Sequence, residues 1–177
     1  VNPEIVYAFD TTRKIYISHD TGDTFVQYPV PDDVPECILN LIDTMDKSSL
    51  CIERGRTGTF YMALGVDGIW KMQYNITNDK ITFKKITDGN KTFYRIGLGI
   101  GPDGDFLRGL KSIYAAAIID GVYGFYRSDD DGASWLRINN DNQMFGQIDC
   151  ICGDSRSFGR FYIATGSRGL LYGEPIQ

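Results

Sequence analysis

The chain has 177 residues, of which 42% are hydrophobic and 23% charged; this suits one globular module with a core and excludes a disordered chain. A net charge of -5 offers nothing to a phosphate backbone, so nucleic acid is excluded as a partner. The apolar runs are too short to span a membrane, and the single histidine, His19, lies in none of the usual metal or triad motifs.

The predicted elements repeat. No charged and apolar leader opens the chain at Val1-Asn2-Pro3, so any targeting signal is expected outside it. A first strand is predicted at Ile5-Val6-Tyr7-Ala8-Phe9 and a second at Lys14-Ile15-Tyr16-Ile17. A polar octapeptide, Ser18-His19-Asp20-Thr21-Gly22-Asp23-Thr24-Phe25, leads into a third at Phe25-Val26-Gln27-Tyr28. Pro29, Pro31 and Pro35 mark a loop over 30–36, and an inner strand is predicted at 38–42. The same series returns at 60–64, 68–72 and 81–86, then, behind an inner strand at 94–98, at 113–117, 124–127 and 135–138. It ends with an inner strand at 148–152 followed by 161–165 and 169–172.

Tyr7, Tyr61, Tyr114 and Tyr162 hold equivalent places, 54, 53 and 48 residues apart. A period near 50 with several strands per unit is that of β-propeller blades. The predicted fold is therefore all-β and propeller-like: one module over 1–177, with about four blades of three, four, four and three antiparallel strands. The first blade lacks its inner strand and the last its outer one. No segment holds a 3.6-residue apolar period, so no helix is predicted.

Features of lower information are scattered along the chain. Asn75-Ile76-Thr77 and Asn90-Lys91-Thr92 are N-glycosylation acceptor triplets. Cys37 and Cys51 are the candidate disulfide, with buried free thiols as the alternative; Cys150 and Cys152 are two apart and share a strand face. Together they lean towards a secreted, extracellular protein. No C-x-x-C pair marks a metal site, and no cofactor motif is present: the Gly97-x-Gly99-x-Gly101 stretch is followed by no helix.

The octapeptide has a second copy, Ser128-Asp129-Asp130-Asp131-Gly132-Ala133-Ser134-Trp135. Both copies fit S-x-D-x-G-x-[ST]-[WF], the Asp-box of sialidase-type repeats. The expected roles are structural. Asp20 and Asp130 accept backbone amides, Gly22 and Gly132 supply a positive φ, and Ser18, Ser128, Thr24 and Ser134 add local bonds. Phe25 and Trp135 tuck under the turn. A role for either aspartate as acid or calcium ligand is the weaker reading, since the downstream Glu of a calcium loop is missing.

Gly121-Val122-Tyr123-Gly124-Phe125-Tyr126-Arg127, with the octapeptide and Leu136-Arg137-Ile138 behind it, resembles the C-terminal end of glycoside hydrolase family 74. So do 153–165, the closing Arg168-Gly169-Leu170-Leu171-Tyr172-Gly173-Glu174, and the opening 2–9. The resemblance is loose between about 30 and 95. It implies a place in xyloglucan-cleaving endoglucanases, built of two propellers with the glycan cleft between them. The family's two catalytic aspartates lie upstream of the matched region, so no catalytic residue is carried over. Asp103 and Asp105 are the best local acid pair, but their Gly-rich loop reads as a turn.

Without catalysis, contact remains. The first expected function is protein docking in secreted cell-wall-degrading machinery, cohesin-like, with a dockerin-like or neighbouring module as partner, because incomplete end blades leave open strand edges. The alternatives are a module that binds xyloglucan or another plant β-glucan, and a C-terminal fragment of a family 74 endoglucanase. Trp70, Tyr74, Tyr123, Tyr126 and Trp135 are the candidates for stacking on sugar rings; core packing is the plainer reading of Trp70 and Trp135.

Overall fold

The structure is a computed structural model that describes residues 4–10, 14–32, 34, 49–104 and 112–175. Among them are fourteen strands and no helix. The first sheet holds β1 (Val6–Asp10), β2 (Lys14–Ser18) and β3 (Val26–Pro29). The second holds β4 (Ser49–Ile52), β5 (Thr59–Ala63), β6 (Ile69–Asn75) and β7 (Lys80–Lys85). The third holds β8 (Lys91–Gly99), β9 (Ser112–Ile119), β10 (Val122–Ser128) and β11 (Leu136–Arg137). The fourth holds β12 (Ile148–Gly153), β13 (Phe161–Thr165) and β14 (Gly169–Gly173). Each is an antiparallel meander with its strands in chain order.

The sheets pack face to face, also in chain order. Ile15 and Ile17 of β2 meet Phe60, Met62 and Met72 of the second sheet. Tyr61, Ala63 and Ile69 meet Phe93, Ala115 and Ala117 of the third. Tyr114, Ala116 and Phe125 meet Ile151, Phe161 and Ile163 of the fourth. Strands β5 and β9 are sandwiched between neighbouring sheets, which is why they read as continuous apolar runs rather than alternating ones. The run Ala115-Ala116-Ala117 is buried throughout. Full burial of a large apolar side chain contributes about 1.5–3 kcal/mol, so the faces between sheets dominate stability. Turn chemistry agrees: Asp120 and Gly121 both have positive φ, 52° and 80°, as a two-residue hairpin of this type requires.

The inner strands sit side by side. Ser49 Oγ of β4 both accepts from Ile96 N (3.2 Å) and donates to Ile96 O (3.3 Å) on β8. On the other side, Ile100 N donates to Asp154 O at 2.9 Å just beyond β8 and β12.

Three details differ from the expectation. The segment 38–42 lies outside the described residues, and the observed inner strand of the second sheet is β4, whose Ser and Cys positions hide its alternation. Strand β11 is only two residues long, because Phe125 N takes the Asn139 side-chain oxygen at 2.8 Å in place of a backbone partner. Strand β8 starts early, at Lys91, and carries a bulge: Phe93 pairs with Ala117 and Arg95 with Ala116, leaving Tyr94 as the extra residue.

Candidate functional site

The two octapeptides form the same turn. Ser18 Oγ donates to Asp20 Oδ1 (2.7 Å) and accepts from Gly22 N (2.8 Å). Asp20 in turn accepts Thr24 N at 2.9 Å and Thr24 Oγ1 at 2.5 Å. Ser128, Asp130, Gly132 and Ser134 repeat the pattern at 2.8, 2.9, 2.8 and 2.5 Å. The bonds from Thr24, then that from Ser18, hold the Asp20 carboxyl down at about 2; those from Ser134 lower Asp130. Both carboxylates are thus occupied as acceptors within their own turns, an arrangement that disfavours a proton-donating role.

The aromatics of the two turns part company. Trp135 donates Nε1–H to Gly132 O at 3.0 Å and packs on Phe93 with ring centres 4.9 Å apart. Phe25 does not tuck under its turn; it is 45% exposed, having no polar anchor to hold it. The acidic run 129–131 also diverges. Asp129 accepts from Ser112 and Arg127, Asp130 from its own turn, and Asp131 from Tyr61 and Lys71. Carboxylates committed to three separate partners do not make a calcium cage.

Three of the stacking candidates are corrected by burial. Trp70 (7% exposed) and Tyr74 (6%) lie in the core between the first and second sheets, and Tyr126 (5%) in that between the second and third. No sugar ring reaches them. Tyr74 OH donates to Asp79 (2.8 Å) and lies 3.1 Å from His19 Nε2, while Tyr28 OH also donates to Asp79; these contacts tie the first sheet to the second. His19 itself is exposed, and its ring contact is this phenol.

Tyr123 remains. It is half-buried near the start of β10, its ring 6.3 Å from that of Tyr94 at 54°. Burial pushes its phenol up. The bulge turns Tyr94 towards it. Arg95 braces the spot by donating to Asp149 O (3.0 Å) and Tyr94 O (2.7 Å), and Gln147 donates to Asp149 Oδ1 at 2.9 Å. Two tilted, half-buried phenol rings with the Arg95 guanidinium bonded to the Tyr94 carbonyl beside them form a surface suited to a sugar: apolar ring faces next to a hydrogen-bonding group. Tyr94 escaped the sequence reading because a bulge leaves no mark in the residue pattern.

A cleft of about 1110 Å³ lies at the opposite ends of β8 and β12, lined in part by Leu50, Ile52, Arg54, Leu98, Arg156 and Tyr162. Its acid, Asp154, accepts Arg156 N, Ser157 N and the Tyr162 hydroxyl, bonds that lower its carboxyl, the one from Arg156 first. Cys51 and Cys152 also face this cleft. Cys51 is a free thiol, pushed up to about 11 chiefly by burial; Cys37, the other half of the candidate disulfide, lies outside the described residues. So does Asp105, whereas Asp103 sits exposed in the turn after β8. Asn75, the last residue of β6, and Asn90, just before β8, are exposed, with Asn75 Oδ1 accepting Thr77 N at 2.9 Å. Among the described residues no three His, Cys, Asp or Glu side chains converge as a metal site, and no helix is long and apolar enough to cross a membrane.

Four antiparallel sheets, stacked in chain order, define a serial array of sheet units. Over its whole length that array resembles a part of glycoside hydrolase family 74. The chain is 37% identical over 179 residues to a xyloglucanase of Acetivibrio thermocellus and 33% identical over 181 residues to a xyloglucanase of a Paenibacillus species. It is 30% identical over 179 residues to an oligoxyloglucan-reducing end-specific xyloglucanase of Emericella nidulans. These matches take in 100%, 99% and 98% of this chain but 19%, 16% and 20% of the relatives, so it spans about a fifth of their length. The solved family 74 xyloglucanase of Xanthomonas campestris superposes with a TM-score of 0.74 at 27% identity, over 99% of this chain and 23% of that one. A family 74 enzyme of Niastella koreensis, at 24% identity, shares the fold with a TM-score of 0.66 over 97% of this chain and 23% of that one. No family model matches the chain. The cohesin-like docking expectation finds no support in these comparisons.

Proposed function

We propose that this chain is a non-catalytic part of an extracellular, xyloglucan-degrading protein of the family 74 type. It supplies four β-propeller blades that act as one module and form a wall along which a β-glucan chain lies. The observation that carries this reading is the match of virtually the whole chain to one fifth of xyloglucanases. The acids of the two octapeptides support the non-catalytic half of it, since their oxygens are spent on holding turns. The glycan contact falls at Tyr94 and Tyr123, where a sugar ring meets the phenol faces with the Arg95 guanidinium beside them.

The test is calorimetric titration of the chain with xyloglucan oligosaccharides. Saturable binding that Tyr123→Ala weakens about tenfold, the equivalent of about 1.4 kcal/mol, supports the contact. Binding untouched by Tyr123→Ala and Tyr94→Ala places the contact elsewhere, and an absence of binding at millimolar sugar leaves the wall without a glycan.

A further inference from the structure

Glu53 follows β4 and is 2% exposed. Its Oε2 lies 3.3 Å from the Tyr61 hydroxyl, which lies 3.0 Å from Asp131 Oδ1. Asp131 belongs to the second octapeptide turn, on the third sheet, so these contacts cross from the second sheet to the third. Lys71 Nζ on β6 completes the set, 2.8 and 3.0 Å from the two Asp131 oxygens.

A phenol carries one proton, and here it faces two carboxyl groups. With both carboxyls ionised, one contact would set lone pair against lone pair at a buried site, where an unmet acceptor is costly. Asp131 is the ionised member, being 47% exposed and paired with the Lys71 ammonium. The missing proton therefore belongs on Glu53. Arg56 Nε stands 3.6 Å from Glu53 Oε1 on a side chain that is 52% exposed, so solvent screens its pull. Burial is the largest influence and raises the Glu53 carboxyl above its ordinary range. Arg56, Lys71 and the Tyr61 contact pull the other way, and Asp131 adds to the rise. Burial also pushes the Tyr61 phenol well up, so it keeps its own proton.

We propose that Glu53 is held as the neutral acid, donating its proton to the Tyr61 oxygen while Tyr61 donates to Asp131, and that ionisation of Glu53 releases this tie between the second and third sheets. On ionisation the proton passes to water, and two carboxylates then compete for the one phenol proton. Because the folded group holds its proton more tightly than the unfolded one, its contribution to stability is complete below the ordinary glutamate value of about 4.3. It is lost as pH rises through the folded value.

The experiment is a urea titration of the wild-type chain and Glu53→Gln across that range, with the Glu53 carboxyl followed by carbon-13 chemical shift in the wild type. The Gln amide donates to Tyr61 as the neutral acid does and cannot ionise. The expected result is a midpoint difference that moves in favour of Glu53→Gln as pH rises above about 4.3, with the carboxyl still protonated after exposed glutamates have ionised. A pH-independent difference, or a Glu53 shift that titrates with the exposed carboxyls, overturns the proposal. The carbon-13 titration needs no variant, so it decides the matter even if Glu53→Gln does not fold.

Discussion

Gly97 on β8 lies so close to Ile151 on β12 that a Cβ at position 97 would stand 2.0 Å from the Ile151 carbonyl oxygen. Two residues on, a Cβ at Gly99 would be 2.7 Å from the Gly153 Cα and 2.7 Å from the Tyr114 ring. The third and fourth sheets thus meet backbone to backbone along their inner strands, and only hydrogen side chains permit it. Gly97→Ala is expected to cost about 1–3 kcal/mol or more, the range for an overpacked core, because the clashing atom is backbone and cannot swing aside. Thermal and urea unfolding measure it; an unchanged midpoint would mean that the inner strands can part without loss.

The octapeptide serine is the next point of leverage. Ser128 is 1% exposed, and its Oγ takes the buried Gly132 amide at 2.9 Å. Ser128→Ala leaves that amide without its acceptor, an expected cost of about 1–3 kcal/mol. The equivalent Ser18→Ala touches a less buried amide and is expected to cost less. The same unfolding series ranks the two.

The aspartates give a pH signature opposite to that of Glu53. Hydrogen bonds depress the Asp130 carboxyl, so its contribution is present above the unfolded value of about 3.9 and fades as pH falls through the folded value. Asp130→Asn is expected to be less stable than wild type near neutrality, with the gap narrowing as the solution is taken below about pH 4. Urea midpoints of the two proteins over that range check it.

Tyr126→Phe separates structure from contact. It removes the 2.7 Å bond from the Tyr126 hydroxyl to Val122 O, at an expected cost of about 0.5–1.5 kcal/mol. Oligosaccharide affinity should stay unchanged, since the ring is buried. Weaker binding would put Tyr126 back among the contacts.

What was legible in the sequence follows physical range. Ser128 to Trp135 bond within eight residues, so the turn is written in the local pattern. Strands such as Phe60-Tyr61-Met62-Ala63-Leu64 and Ile113-Tyr114-Ala115-Ala116-Ala117 stood out because both of their faces are covered. Strand β4 did not, because four residues with Ser49 and Cys51 at alternate places resemble a polar linker. The burial of Tyr74 and Tyr126 was also out of reach. Alternation tells which face a side chain takes, but not whether a neighbouring sheet covers that face. The pairing of Tyr94 with Tyr123 depends on a one-residue slip in register, and the Glu53–Tyr61–Asp131 contact on two sheets meeting 70 residues apart between Tyr61 and Asp131; neither has a local sequence signature.

The measurement closest to the central claim is titration of the chain with xyloglucan oligosaccharides while new reducing ends are counted in the same sample. Saturable heat, with an affinity about tenfold weaker in Tyr123→Ala and no new reducing ends, is the expected outcome for a glycan-contacting wall without catalysis. Steady release of reducing ends, or no heat at any concentration reached, would contradict it.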